Sequence, residues 1–441
     1  MSQLTGIPVG ASGFIEPKRE RVSGLWIILG LFILGVVTVS PLEGWNYVVK
    51  GLGVFLALVY LIETLRGRMR IAPEVVLYIA WLTVSLAGVF EHPSTELFFY
   101  VWTTCFQIWV LLVIVSGFTA GRKALSLNFA VFLLAAFILG AHSYATGEYQ
   151  AAEAGTGVRL TGWSRNPNAF GWIMLLATVA LAYFWMLPTR AKWLKYGFLL
   201  AGFAAAGLSE LFSFSRTHIA GMAFFFLAWI WLCYRKTLRR SIMVTLGVVG
   251  LLVVAGYLGF LLFEQAGGLL RYTQVVDTLS GRATGGSAYI RLQNFKVGWQ
   301  LLMDHPLTGV GLSGFLLRVP YRLMAHSEYV EIAVDTGVPG FLLYFGILWV
   351  LWRRAGKLAR QSDSAFVVQV ANLTRAAVLM VLLTDLGRWN YNDKSAWIIL
   401  GSLIGFTNAA WHEHLALKAA PAGEDSAAAV LSPRPAVGTL P

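Results

Sequence analysis

The chain has 441 residues, of which 57% are hydrophobic and 13% charged, with a formal charge of +12 and a mean hydropathy of +0.66. So much apolar surface exceeds what soluble cores can hide, which excludes an ordinary soluble enzyme and leaves a polytopic membrane protein. In such a protein the placement of lysines and arginines matters more than their sum, so no nucleic-acid partner is expected.

A bilayer core about 30 Å thick takes about 20 helical residues to cross. Twelve apolar runs qualify as candidates: 24–39, 45–65, 73–90, 96–117, 124–141, 168–187, 193–214, 217–234, 241–263, 338–352, 370–386 and 395–411. Lys18, Arg19 and Arg21 lead into the first without a small-residue cleavage site, so it reads as an uncleaved span. Run 338–352 is the shortest and is open to an earlier start. The expected fold is an all-α polytopic membrane bundle of about twelve transmembrane helices with a large helical external loop. Its parts are an N-terminal transmembrane region of about nine spans (1–263), the loop (264–337), three further spans (338–411) and a disordered tail (412–441) rich in Ala, Pro, Gly and Ser.

Basic residues fill every second connector. They include Arg66, Arg68 and Arg70, Arg190, Lys192 and Lys195, the group from Arg235 to Arg240, and Arg353, Arg354, Lys357 and Arg360. The positive-inside rule makes that side cytoplasmic and places both termini there. The segments 142–167, 264–337 and 387–394 then face outward. Cys105 and Cys233 sit in apolar runs and suggest no disulfide framework and no metal site.

Three constellations mark the outer face. The first is a set of arginines: Arg159, Arg165, Arg216, Arg271, Arg282, Arg291, Arg318, Arg322 and Arg388, against Lys296 and Lys394 alone. Arginine's planar fork suits bidentate anion binding, although any single arginine can instead snorkel or pair locally. Arg216, in "LFSFSRTHIAGM", is held at the interface near Glu210 because few residues separate two spans. The second is "VRLTGWSRNPNAFGWIM", where Asn166, Pro167 and Asn168 read as a turn entering a helix. Asn168 is the expected N-cap and free N–H groups there are placed for a phosphate oxygen; a merely well-capped membrane helix accounts for the asparagines equally well. The third is "YIRLQNFKVGWQLLMDHPLTGVGLSGF", in which Ser287 caps a helix running to Met303. Arg291, Phe295, Gly298 and Leu302 share one face, and the glycines that follow resemble an anion nest only weakly.

Further on lies "HSEYVEIAVDTGVPG". Read as a helix from His326, it places Glu328, Glu331 and Asp335 on one stripe facing water or external arginines, with His326 opposite, above Val330 and Ala333. A helix start disfavours imidazolium, which keeps such a histidine neutral.

Together "RLTGWSRNPNAFG", "SFSRTHIAG", the Tyr289–Phe315 stretch and "HSEYVEIAVDTGVPG" resemble, in order and spacing, the motifs of the O-antigen ligase-like family. That family holds lipopolysaccharide O-antigen ligases, O-antigen and exopolysaccharide polymerases, and protein O-oligosaccharyltransferases. The resemblance implies a metal-independent, inverting glycosyltransferase without cofactor in the bacterial inner membrane. It takes glycan from undecaprenyl diphosphate on the periplasmic face and passes it to lipid A-core or to a growing polysaccharide. Carried over by motif, Arg216 and Arg291 hold the diphosphate and His326 activates the acceptor, with Arg159 and Asn168 as further substrate-binding candidates. Ser327 departs from the asparagine that relatives commonly show there, which blurs the subfamily.

A pre-activated, lipid-borne donor needs cations more than a strong acid, and no Walker sequence is present. The competing class is a transporter, which places ionisable groups near the midplane, often on broken helices. Here Glu210, Arg216, Asp385 and Arg388 gather at span ends, and Arg375 alone lies well inside one. That pattern favours interfacial chemistry. Within the family, ligase is preferred slightly over polymerase, and protein glycosylation less.

Overall fold

The computed structural model describes residues 23–38, 46–67, 69–147, 149–151, 158–160, 166–213, 215–240, 280, 287–320, 325–388 and 391–419. The run at 241–263, most of 264–286, Arg165, Arg271, Arg282, Arg322 and the tail beyond 419 lie outside the described residues.

In lipid, backbone groups must be satisfied within the segment, so the apolar runs become helices. They are α1 (Ser23–Thr38), α2 (Asn46–Leu65), α3 (Pro73–Ser85, continued by a 3-10 stretch Leu86–Phe90), α4 (Thr95–Phe118), α5 (Arg122–Thr146), α6 (Pro167–Met186), α7 (Lys192–Ser213) and α8 (Arg216–Arg240). Next come α9 (Ser287–Asp304), the short α10 (Gly314–Arg318), α11 (Glu328–Gln361), α12 (Ala365–Thr384) and α13 (Lys394–Ala419). A two-stranded antiparallel hairpin, β1 (Tyr149–Ala151) and β2 (Val158–Leu160), lies between α5 and α6.

Eight helices among the described residues are long and apolar enough to cross a membrane. This is an all-α polytopic membrane protein. The run at 24–39 forms α1, shorter than those eight. The runs at 193–214 and 395–411 form α7 and α13, which fall outside that set. Residues 395–410 are almost all buried, so α13 is a central helix that meets protein more than lipid and tolerates Ser402, Thr407 and Asn408. It also continues through Ala419, past the expected start of the tail at 412.

The expected short span at 338–352 is part of a 34-residue element. Gly337 breaks it with φ 67° and ψ −178°, a backbone conformation that side chains resist, and Pro339 follows. The Val338 N–H, turned out of the helix by the break, donates to the Pro306 carbonyl at 2.8 Å. The half before the break, Glu328–Thr336, is thereby fixed to the loop that follows α9. The second half packs between α3 and α12, and α12 packs on α8. Aromatic edge contacts of Tyr78, Trp81, Tyr344, Trp397 and Tyr391 knit α3, α11 and α13 together just beneath the end that carries His326.

Candidate active site

The starts of α6, α8 and α11 meet at one end of the bundle. Asn166 is the N-cap of α6: its Oδ1 accepts the Asn168 N–H at 2.9 Å, with Pro167 as the first helical residue. This corrects the expectation that Asn168 is the cap. The Asn168 carbonyl instead accepts a bond from Arg388 Nη1 at 2.8 Å. The same guanidinium lies 3.3 Å from His218 Nε2, donates to Asp393 Oδ2 at 2.6 Å and stacks over Trp172 with its carbon 4.7 Å from the ring centroid. His218 in turn faces Glu210, 3.9 Å away, and both are almost fully buried. Gly171 makes room for this knot, since a Cβ there would come within 2.9 Å of His218, Ser213 and Glu210.

The main-chain carbonyls of Asp385 and Arg388 both receive the Glu328 N–H, at 2.8 and 2.9 Å. Arg388 is thus the hub joining α6 and α8 to the start of α11. The arginine count flagged this residue as an anion ligand; it is spent on the fold. Arg318 is spent likewise, on the Glu91 carbonyl and, at 3.3 Å, His305.

His326 is not part of a helix. α11 begins at Glu328, and His326 holds a positive φ of 53°, a conformation that costs a residue with a Cβ about 1–3 kcal/mol. The reading of His326 as a helical residue pointing opposite the acidic stripe is therefore corrected. Its N–H donates to Glu331 Oε1 at 3.2 Å, so the stripe does reach the histidine, through its main chain. Nor does the stripe meet water: Glu328, Glu331 and Asp335 are 0%, 3% and 1% exposed. Glu328 accepts the Tyr344 hydroxyl at 2.6 Å.

Asp335 takes the Ser313 N–H at 2.8 Å and the Phe315 N–H at 3.0 Å on its two oxygens. The glycine-rich loop thus does resemble a nest, but an internal carboxylate fills it. Replacing Asp335 with Ala should expose two buried donors and cost about 1–3 kcal/mol for each. Asp335→Asn should rescue little, because its amide nitrogen opposes one of them; thermal unfolding in detergent measures both.

The expected face of α9 is observed. Phe295, Gly298 and Leu302 line an apolar groove of about 410 Å³ whose other wall is Tyr329, Val330, Ala333, Val338 and Leu342 of α11. Gly298 lets the helices approach, a Cβ there lying 2.8 Å from Val330. Arg291 stands one turn before Phe295 on α9, and His326 lies just ahead of α11, four residues before Val330; each precedes a wall of the groove without lining it. Burial, and then the positive charge of Arg291, lower the His326 pKa to about 4. The ring is neutral at physiological pH, as expected, though burial and a neighbouring cation are the cause rather than the helix start. Arg216 opens α8 beside His218, and Arg159 pairs with Gln150 in the hairpin. The side chains of those two arginines are not among the described groups.

Residues 201–345 match the model of a family described as O-antigen ligase. This stretch belongs to the O-antigen ligase-like family. It runs from α7 to just past the kink in α11, and so contains Arg216, the groove and His326. No curated protein matches the chain. The match and the apolar helices together support a membrane enzyme of the O-antigen ligase or polymerase type.

Proposed function

We propose that the chain is an O-antigen ligase, transferring glycan from undecaprenyl diphosphate to a hydroxyl of lipid A-core at the periplasmic face of the bacterial inner membrane. The observation that carries this is an apolar groove between α9 and α11, together with a His326 that precedes one wall and feels the charge of Arg291, which precedes the other. The proximal isoprenes of the donor lie along the groove, and the remainder of the chain lies in the bilayer. Arg291 and Arg216 bind the diphosphate, with Arg159 and the start of α6 at Asn168 as further contacts.

His326 takes the proton of the acceptor hydroxyl as that oxygen bonds to the anomeric carbon. The bond from that carbon to the phosphate oxygen breaks on the opposite face, which inverts the centre. Undecaprenyl diphosphate leaves with its electron pair held by the arginines. No metal takes part in this scheme. A deletion strain tests the acceptor: unligated long chains support ligase, whereas single-repeat products assign the same site to a polymerase that extends a growing polysaccharide.

A charge-assisted hydrogen bond contributes about 1.5–3 kcal/mol, so Arg216→Ala and Arg291→Ala should each lower turnover by roughly one to two decades. Lysine at either position should recover little, because a point charge cannot reproduce the fork. Full activity in either folded alanine variant removes that arginine from the site. The orientation is tested separately. A reporter active only outside the cytoplasm should be silent within Arg235–Arg240 and active at Ser280; the reverse pattern would place the groove on the wrong side.

A further inference from the structure

At the end of α11 remote from His326, a second cavity of about 430 Å³ opens between α11 and the middle of α12. Arg353, Lys357 and Arg360 of α11 and Arg375 of α12 line it, with Trp349 and Trp352, and among the described residues no carboxylate does. Cations on the rim of a membrane helix are commonly solvated and serve only to orient the protein. Arg375 does not fit that description, because it lies ten residues into α12, on the order of 15 Å along the helix axis.

Its guanidinium stacks on Trp352, 4.9 Å from the ring centroid, and Arg353 lies 5.8 Å from the centre of Trp349. Arg375 Nε and Trp352 Nε1 are both buried and have no hydrogen-bond partner among the described residues. Arg354, the neighbour of Arg353, shows what this end of the bundle does with a cation that it intends to neutralise. It bonds Glu74 at 2.7 and 3.1 Å and Asn408 at 2.8 Å. Among the described residues nothing comparable faces the four cations of the cavity, where like charges converge around unmet donors.

We propose that this cavity binds a phosphate group, carried by an anionic glycerophospholipid or by a free phosphorylated solute. Arginine forks and a lysine meet the phosphate oxygens. The two tryptophans supply an apolar wall whose indole N–H groups can also donate to the ligand.

The test uses the full chain in phosphatidylcholine nanodiscs. Thermal unfolding and native mass spectrometry are followed as phosphatidylglycerol is included in the disc, or as inorganic diphosphate is added to the buffer. The expected result is retention of phosphatidylglycerol and a raised unfolding temperature. Affinity should be about tenfold weaker in Arg375→Gln, a loss of one charge-assisted hydrogen bond. Arg360→Gln, on the exposed rim, guards against a folding artefact in the first variant and should weaken binding similarly. It also separates this cavity from Arg291. Protection by diphosphate alone, lost in Arg360→Gln, assigns the phosphate to a soluble ligand. Absence of protection by either, or binding to both variants as to the wild type, overturns the proposal.

Discussion

His326→Ala should bind the lipid-linked donor and transfer almost none of its glycan. Loss of a general base costs about 10²- to 10⁴-fold in turnover, and the groove and Arg291, which hold the donor in this account, are untouched by the change. Glu331→Gln should stay largely active, because an amide oxygen accepts the His326 N–H as the carboxylate does. Glu331→Leu removes that acceptor and should lower turnover, with the donor still bound. The pH profile should report the same base. A base must be unprotonated to act, and the free enzyme's histidine has a pKa of about 4. The profile of kcat/KM should therefore be level above that value and fall as pH drops through it. Bound diphosphate partly neutralises Arg291 and favours imidazolium, so the acid limb of kcat should lie at higher pH than that of kcat/KM. Near-normal transfer by His326→Ala, or an acid limb unchanged in the residual activity of that variant, would show that another group is the base.

Arg388→Ala should cost the fold on the order of 3 kcal/mol, the low end of the range for breaking a buried ion pair, because Arg388 and Asp393 remain 11% and 18% exposed. The change leaves Asp393 without its cation, with only the N–H groups of Ser395 and Ala396, and removes the donor to the Asn168 carbonyl, the contact with His218 and the stack on Trp172. Arg388→Lys should recover little, because one ammonium cannot reach Asn168 and Asp393 while also covering the indole. The double change Arg388→Met with Asp393→Leu should be less destabilised than Arg388→Ala, since an apolar pair leaves no uncompensated charge. Thermal unfolding of the detergent-solubilised proteins ranks all three. A loss of under about 1 kcal/mol in Arg388→Ala would mean that the knot at the head of α6, α8 and α11 is held by something else.

The helices and the α9 face were legible because both rest on local repetition: apolar runs of bilayer length, and Arg291, Phe295, Gly298 and Leu302 at three- and four-residue spacing. The cap of α6 is legible too, at Asn166 rather than Asn168. Proline favours the first helical turn, which makes the residue before Pro167 the cap. Gly337 and Pro339 likewise announce a break, and α11 does break there. What no local pattern reveals is the fate of the polar groups. Three acidic residues on a stripe read as a solvated face. They are buried because their donors come from far along the chain: Ser313 and Phe315, 22 and 20 residues before Asp335, and the hydroxyl of Tyr344 for Glu328. Arg388 and Arg318 look like Arg291 in the sequence. Only the packing of distant segments separates arginines that build the fold from the one that precedes a wall of the groove.

The measurement that bears most directly on the central claim is acceptor-dependent release of undecaprenyl diphosphate by the purified protein. Labelled undecaprenyl-diphosphate glycan is supplied with and without lipid A-core, and both the glycosylated acceptor and the freed lipid diphosphate are followed. The two products should appear together in equal amounts, only when acceptor is present, and Arg291→Ala should slow both alike. Donor left intact by folded protein that binds it, with lipid A-core and saccharide acceptors both supplied, would contradict it.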